Sequence, residues 1–326
     1  MTKMNKQLAI LTLLIASLAF TPLAARADNW PSRPVTIIVP FTAGTTSDIL
    51  ARSIARDLSE ELKQPFVVEN RGGAGGNIGA AAVAKAPADG YTILFATTGQ
   101  AATNQLMYKN MEFNPQRDFA PVALVGKSPI IIVARPDAPF ASLQELTSFA
   151  KASPDKITAG YPGNGTLGHV TGELLLRRTG IQFSHTQYKG SAAILADLIG
   201  GHIDIGMDSM AAYVPAVQAG KIKALAIAAQ ARWAKLVNVP TVSESGLPGF
   251  EASVWYAVLA PAKTPDVVIQ KLNEALNKAL KSSSAMQVFD NLGVQTSGGT
   301  PQDLKTFINA EIEKWAPIIK DAKIEF

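Results

Sequence analysis

Pro34-Val35-Thr36-Ile37-Ile38-Val39-Pro40, then Phe41-Thr42-Ala43-Gly44-Thr45-Thr46, then Ser47 to Lys63: three consecutive segments decide the fold. The first is an apolar run bounded by prolines, which reads as a buried strand. The second is a loop of small residues and hydroxyls. The third places Ile49, Leu50, Ile54, Leu58 and Leu62 at helical spacing, with Arg52, Arg56, Glu60 and Lys63 opposite. Strand, small-residue loop, amphipathic helix is the unit. It recurs as Ile157–Gly160, Tyr161–Gly165 and Thr166–Arg178.

Outward from these units the alternation continues. Strands are expected at Phe66–Glu69, Tyr91–Ala96, Val122–Val125, Ile130–Ala134, Lys156–Gly160, Gln187–Lys189, Ile203–Met207, Lys223–Ala229 and Ser253–Ala260. Gly126-Lys127-Ser128-Pro129 separates the third of these from the fourth. Helices are expected at Ile78–Lys85, Leu143–Lys151, Leu167–Arg178, Ser191–Ile199, Pro265–Lys281 and Pro301–Lys320, the last two opened by Thr-Pro pairs. Such alternation predicts an α/β architecture of two similar lobes with mostly parallel sheets, the C-terminal helices returning to the first lobe.

Composition narrows the class. Of 326 residues, 47% are hydrophobic and 17% charged, and there is no Cys. That is ample apolar surface for a core, and it excludes a disulfide scaffold, a thiol nucleophile and a lipid-anchored Cys. The formal charge of +4 has a local origin. Lys3, Lys6 and Arg26 lie in the first 27 residues, and without them 27 basic residues face 26 acidic ones. No nucleic-acid partner is inferred.

The same leader has a positive start, an apolar run from Leu8 to Phe20, and Ala25-Arg26-Ala27 before Asp28. It reads as a secretory signal peptide over residues 1–27, cleaved after Ala27. Its apolar run is too short to span a bilayer, and charges or Gly and Pro interrupt every later candidate. A soluble, exported protein without a lipid anchor is expected.

Catalytic chemistry finds little support. Arg71-Gly72-Gly73-Ala74-Gly75-Gly76-Asn77-Ile78-Gly79 has neither the spacing of a dinucleotide loop nor the Lys-Ser/Thr of a P-loop, and reads as a tight turn needing positive φ. No nucleophile elbow is present, and His169, His185 and His202 are the only histidines. His169 and Glu173 share a helix face but make an incomplete metal site. No metal or cofactor is expected. Asp204 and Asp208, on a strand and the loop after it, do not form a carboxylate pair.

The two small-residue loops are the strongest constellation. Thr45 with Asp48 fits a cap-x-x-acid pattern, which starts a helix there. Free backbone N–H groups, with the hydroxyls of Thr45, Thr46 and Ser47, could then receive an anion. Pro162-Gly163-Asn164-Gly165-Thr166 repeats the arrangement. Across a cleft, two helix N-termini would each hold one carboxylate of a small diacid.

At this point the chain resembles a known family, the extracytoplasmic solute receptors of tripartite tricarboxylate transporters, also called Bug receptors. The resemblance rests on ordered phrases along the mature chain. They include Trp30-Pro31-Ser32-Arg33-Pro34-Val35, Asp48-Ile49-Leu50-Ala51-Arg52, Val67-Val68-Glu69-Asn70-Arg71-Gly72-Gly73, Asp89-Gly90-Tyr91-Thr92, Gly163-Asn164-Gly165-Thr166, Tyr188-Lys189-Gly190-Ser191, Val239-Pro240-Thr241-Val242 and Leu259-Ala260-Pro261.

The resemblance implies a two-lobed periplasmic binding protein of the type II-like clamshell kind. It would close on a small di-, tri- or aromatic carboxylate without catalysing a reaction, and deliver it to integral membrane subunits of the transporter. A monomer is expected. Lobe 1 would comprise residues 28–127 plus 253–326, and lobe 2 residues 128–252. The family's binding loops map onto Phe41, Ala43, Gly44, Thr45, Thr46, Ser47 and Asp48, and onto Asn164, Gly165, Thr166 and His169. Thr97, Thr98 and Asp208 match cleft-lining positions. One departure stands out: Thr45 occupies the place of a second glycine, and a Thr resists positive φ. An enzyme on the same frame, a hydrolase or isomerase, is the alternative. The lack of a base–nucleophile pair argues against it.

Overall fold

Strand β1 (Val35–Val39) is buried on both faces. Val35, Ile37 and Val39 enter one apolar cluster, and Ile38 enters another on the opposite side. A strand covered twice reads as a continuous apolar run, which is why Val35–Val39 is legible. Helix α1 (Thr46–Leu62) covers one of those faces with Leu50, Ile54 and Leu58.

The computed structural model describes residues 30–325 apart from Asp155. The expected signal peptide and its cleavage site lie outside the described residues. After α1 come β2 (Phe66–Asn70), α2 (Asn77–Ala84) and β3 (Thr92–Thr97), then α3 (Pro115–Asp118) and β4 (Phe119–Ala134). The second lobe supplies α4 (Leu143–Ala152), β5 (Thr158–Tyr161), α5 (Leu167–Thr179), β6 (Ser184–Gln187), α6 (Ser191–Ile199), β7 (Ile205–Ser209), α7 (Val214–Gln218) and β8 (Lys223–Ile227). The chain returns through β9 (Ser253–Pro261), α8 (Asp266–Ala279), α9 (Ser283–Asn291), β10 (Gln295–Gly298) and α10 (Pro301–Asp321). None of these helices is long and apolar enough to cross a membrane.

The strands follow the order β2-β1-β3-β9-β4-β7-β5-β6, with β8 and β10 also on β4. Parallel strands form both ends: β2-β1-β3 in one lobe and β7-β5-β6 in the other. Antiparallel β9 and β4 join them.

The break expected at Gly126–Pro129 is absent, and the two strands expected around it are one strand of 16 residues. Its first part pairs with β9 as far as Pro129 opposite Ser253, and its last five residues pair with β7. Gly126 serves close approach instead of a turn. A Cβ there would lie 2.7 Å from the Gln295 carbonyl oxygen on β10. The strand expected at Gln187–Lys189 sits earlier, at Ser184–Gln187, because that is the stretch in register with β5.

Two further features escaped the sequence reading. Helix α9 is capped by Ser282, whose hydroxyl accepts from the Ala285 amide. The other is the role of α10. Its Leu304 and Ile308 pack with Ile38 and Leu94, whereas its Trp315 and Ile319 pack with Phe140 and Tyr161. This helix therefore touches the cores of both lobes. Buried Glu311 lies between these ends, accepting from the indoles of Trp255 (3.0 Å) and Trp315 (3.2 Å).

The register explains where a cleft must form. Thr97 at the end of β3 is opposite Tyr256, which is opposite Gly126. Ser209 at the end of β7 is opposite Ile130. The C-terminal ends of the two parallel sets thus meet within a few residues of β4, from opposite directions. In open α/β sheets that is where ligands bind.

Candidate binding cleft

The loop after β1 is held by its own polar groups. Gly44, with φ of 81°, supplies the left-handed residue that turns the chain. Thr45 then takes φ −73° and ψ 161°, an ordinary extended conformation before a helix. The expected strain at Thr45 does not arise, because the left-handed position is Gly44.

The expected capping box is not made either. The Thr45 hydroxyl turns back to donate to the Thr42 carbonyl (2.8 Å), and Asp48 accepts from the Gly44 amide (2.9 Å). Buried Asp48 also accepts from Arg52 Nε (3.0 and 3.1 Å) and Asn70 Nδ2 (2.9 Å). Burial pushes its carboxyl up, but the bonds from Arg52, Gly44 and Asn70 outweigh this and hold it below the ordinary aspartate value.

The loop after β5 repeats the design position for position. Gly165 has φ of 70°, and Thr166 has φ −67° and ψ 157°. The Thr166 hydroxyl donates to the Gly163 carbonyl (2.8 Å), and the Gly165 amide donates to His169 Nδ1 (3.2 Å). Gly44, Thr45 and Asp48 thus correspond to Gly165, Thr166 and His169. In both loops the N-cap hydroxyl is spent on a loop carbonyl, and no side chain among the described residues caps the helix. The first-turn N–H groups of α1 and α5 are left as donors. Ser47 is buried at the first turn of α1, and Thr46 is half-buried beside it. Asn164 is exposed, as are Ala43 and Gly44; Phe41 is half-buried.

Between the loops lies a floor built from both lobes. Thr97 donates through its amide (2.9 Å) and hydroxyl (3.0 Å) to Gln100, whose amide nitrogen donates to the Gly75 carbonyl (2.6 Å). That bond ties β3 to the glycine-rich loop, where Gly73, Ala74, Gly75 and Gly76 all have positive φ, as the sequence predicted. Thr98 accepts from the Trp255 amide (3.0 Å). Tyr256, the cross-strand neighbour of Thr97, is hydrogen-bonded to Ser209. The Ser209 hydroxyl also donates to Ser128 on β4 (2.9 Å).

Asp208 sits at this floor. Residue Gly168 in the first turn of α5 lies on the carbonyl of Met207, so closely that a Cβ would come within 2.3 Å. Asp208 accepts from the Ser191 hydroxyl at the start of α6 (2.5 Å) and from the Ser209 amide (2.6 Å). Burial pushes its carboxyl up to about 6, against the opposing pull of those two bonds. Asp204, four residues earlier, instead pairs with Arg135 (2.9 Å), so the two acids do not form a pair.

Behind the second loop the structure adds a residue to His169 and Glu173. His185 on β6 places Nδ1 3.6 Å from Glu173 Oε1, and His169 Nε2 is also 3.6 Å from it. Burial lowers the His185 value, and the hydrogen bond with His169 lowers that of Glu173. The set has the donor types of a metal site. The tautomer speaks against one. His169 Nδ1 accepts from Gly165, so the neutral ring carries its proton on Nε2, the nitrogen that a metal would need. The cluster braces the loop.

The structure thus gathers Thr97, Thr98, Asp208, Ser47 and the two loops around one seam. The sequence reading missed Arg52, Asn70, Ser128, Ser191, Ser209 and Tyr256. Arg52, Asn70, Ser128 and Ser191 lay in quoted stretches without being assigned to the site, whereas Ser209 and Tyr256 depend on cross-strand register. A groove of about 220 Å³ lined by Thr36, Glu69, Arg71 and Thr92 contains none of the candidate residues.

Residues 50–324 match the model of the tripartite tricarboxylate transporter family receptor, TctC. The chain is 35% identical over 319 residues to the protein BugT of Bordetella pertussis, covering 98% of each. Among solved structures, an R. palustris protein with adipate is 40% identical, with a TM-score of 0.86 over 91% of this chain and 99% of that one. MatC from Rhodopseudomonas palustris with bound malate is 32% identical, with a TM-score of 0.83 over 89% and 100%.

Proposed function

The chain belongs to the TctC receptor family of tripartite tricarboxylate transporters, and we propose that it captures a small dicarboxylate in the cleft between its lobes. The observation that carries this reading is the repeated loop. Two helices begin at equivalent Gly-Thr pairs, neither is capped by a side chain, and the strands leading into both converge on one seam. Each uncapped N-terminus suits one carboxylate, through amide donors and the positive end of the helix dipole. Adipate and malate in the related structures have two carboxylates each.

The ligand is held by the amides of Thr46 to Asp48 and of Leu167 to His169, with the hydroxyl of Ser47. Neither loop contains Lys or Arg, so no guanidinium fork takes part. Residues 28–127 with 253–326 act as one lobe and 128–252 as the other. The crossing at Gly126–Ser128 and the return at Phe250–Ser253 act as the hinge. Helix α10, which belongs to the first of these segments, also packs on the core of lobe 2 and so bridges the two lobes beside the hinge. The leader directs export to the periplasm with cleavage after Ala27. There the monomer hands its ligand to the integral membrane subunits and catalyses nothing.

Intrinsic fluorescence tests this, since the Trp255 amide is bonded to Thr98 at the floor. Titration with adipate, malate and monocarboxylate controls should give saturable binding of a diacid that is recovered unchanged. Turnover of the ligand, or no response to any carboxylate, would overturn the reading.

A further inference from the structure

Asp208 poses a problem for a cleft that receives anions. It is 6% exposed, and its two oxygens are engaged by the Ser191 hydroxyl and the Ser209 amide, both neutral groups. It has no ion pair with a Lys, Arg or His among the described residues. The groups facing it are phenols: Tyr213 from the turn before α7 and Tyr256 from β9, both driven up chiefly by burial and further by the Asp208 charge. Tyr188 is engaged with Asp197 (2.6 Å), and Lys189 on the turn before α6 is exposed. A dicarboxylate arriving at the first turn of α5 would add negative charge beside a buried, uncompensated carboxylate. Like charges in one desolvated site cannot both be kept cheaply.

We propose that ligand binding is coupled to uptake of one proton by Asp208, and that Ser191 relays that proton as a hydrogen bond to the ligand. This rests on the reading of the cleft as a carboxylate site. The chemistry is conservative. In the free protein Ser191 spends its only hydroxyl hydrogen on Asp208 Oδ2. A proton taken from solvent onto Oδ2 turns Asp208 into the donor, and Ser191 Oγ becomes the acceptor. The Ser191 hydrogen is then released to donate to the ligand carboxylate. Asp208 Oδ1 keeps its bond from the Ser209 amide throughout. The acid starts from a value already lifted to about 6, so a nearby anion has only a short way to move it into the neutral range.

Calorimetry of adipate and malate binding in two buffers of different ionisation enthalpy reads the proton directly. The expected result is buffer-dependent heat equivalent to uptake of about one proton near neutral pH. Affinity should weaken as pH rises from about 6.5 to 8.5, approaching about tenfold per unit, over a range where both acids are already fully ionised. The Asp208→Asn variant, neutral at every pH, should flatten that profile and lose the buffer dependence. The Ser191→Ala variant removes a donor from buried Asp208 and should melt lower while still folding, and its folded form should bind about tenfold more weakly. Diacid binding with buffer-independent heat and a flat pH profile in the wild type would overturn the coupling. Unchanged affinity in Ser191→Ala would overturn the relay. No binding of either acid would overturn the reading of the cleft itself, and the coupling with it.

Discussion

Replacing Asp48 by Ala probes how the first binding loop is held. Its carboxylate gathers three residues, the Gly44 amide at 2.9 Å, Asn70 at 2.9 Å and Arg52 at 3.0 Å, around a side chain in the first turn of α1. A hydrogen bond to a charged group contributes about 1.5–3 kcal/mol. The Arg52 contact must be discounted to less than about 1 kcal/mol, because the Arg52 side chain is 52% exposed. Gly44 lies in an exposed loop where water can replace the lost acceptor. The bonds are not additive, so Asp48→Ala should lose about 2–4 kcal/mol of stability, and Asp48→Asn about half as much. Urea unfolding gives the first number, and diacid titration of the folded protein gives the second. Without the tie to Gly44 the loop no longer presents its amides, and affinity should fall at least tenfold. The sign of the acid dependence follows from the lowered Asp48 value. Its contribution is present above the unfolded aspartate value and is lost as pH falls through the folded one. A loss below about 1 kcal/mol together with normal binding would refute the reasoning.

Other perturbations separate the roles of neighbouring groups. Ser47→Ala removes a hydroxyl with no cap to make, and should weaken diacid binding by about 1–3 kcal/mol at an unchanged melting temperature. Thr166→Ala removes the bond to the Gly163 carbonyl; about 0.5–1.5 kcal/mol of stability should go, measured by urea unfolding. The Tyr161 hydroxyl is buried with no partner among the described residues, so Tyr161→Phe should leave melting unchanged or raise it; a fall of several degrees would mean that a hidden partner exists. His185, depressed by burial, resists protonation, so its share of stability should decline as pH falls below its unfolded value of 6.5. The Glu173 share, present above its unfolded value of 4.5, is lost as pH falls through its lowered folded value. Melting temperature should therefore drop on acidification, and less so in a Glu173→Gln, His185→Gln double variant.

Much of this architecture was legible in the sequence because its signals are local. The run Val35–Val39 reads as a strand since it is buried on both faces, and α1 reads as a helix since Leu50, Ile54 and Leu58 share one side. The two loops were found by their small residues alone. What failed was also physical. Gly126 and Pro129 look like a turn, but Gly126 makes room for the backbone of β10 and Pro129 ends the pairing with β9. Thr45 and Asp48 have the spacing of a capping box, yet Gly44 and Arg52 claim the carboxylate. The doubt over Thr45 disappeared because left-handed φ falls one residue earlier. Tyr256, Ser209 and Ser128 could not be found from sequence: their proximity depends on strands far apart in the chain.

The central claim is that a carboxylate is held at each of two helix N-termini by neutral donors. A crystal structure of the protein with bound adipate tests it most directly. The account predicts one carboxylate within hydrogen-bond distance of the Thr46 to Asp48 amides and the other within reach of the Leu167 to His169 amides. A carboxylate paired instead with an Arg or Lys side chain, or bound away from both helix starts, would contradict it.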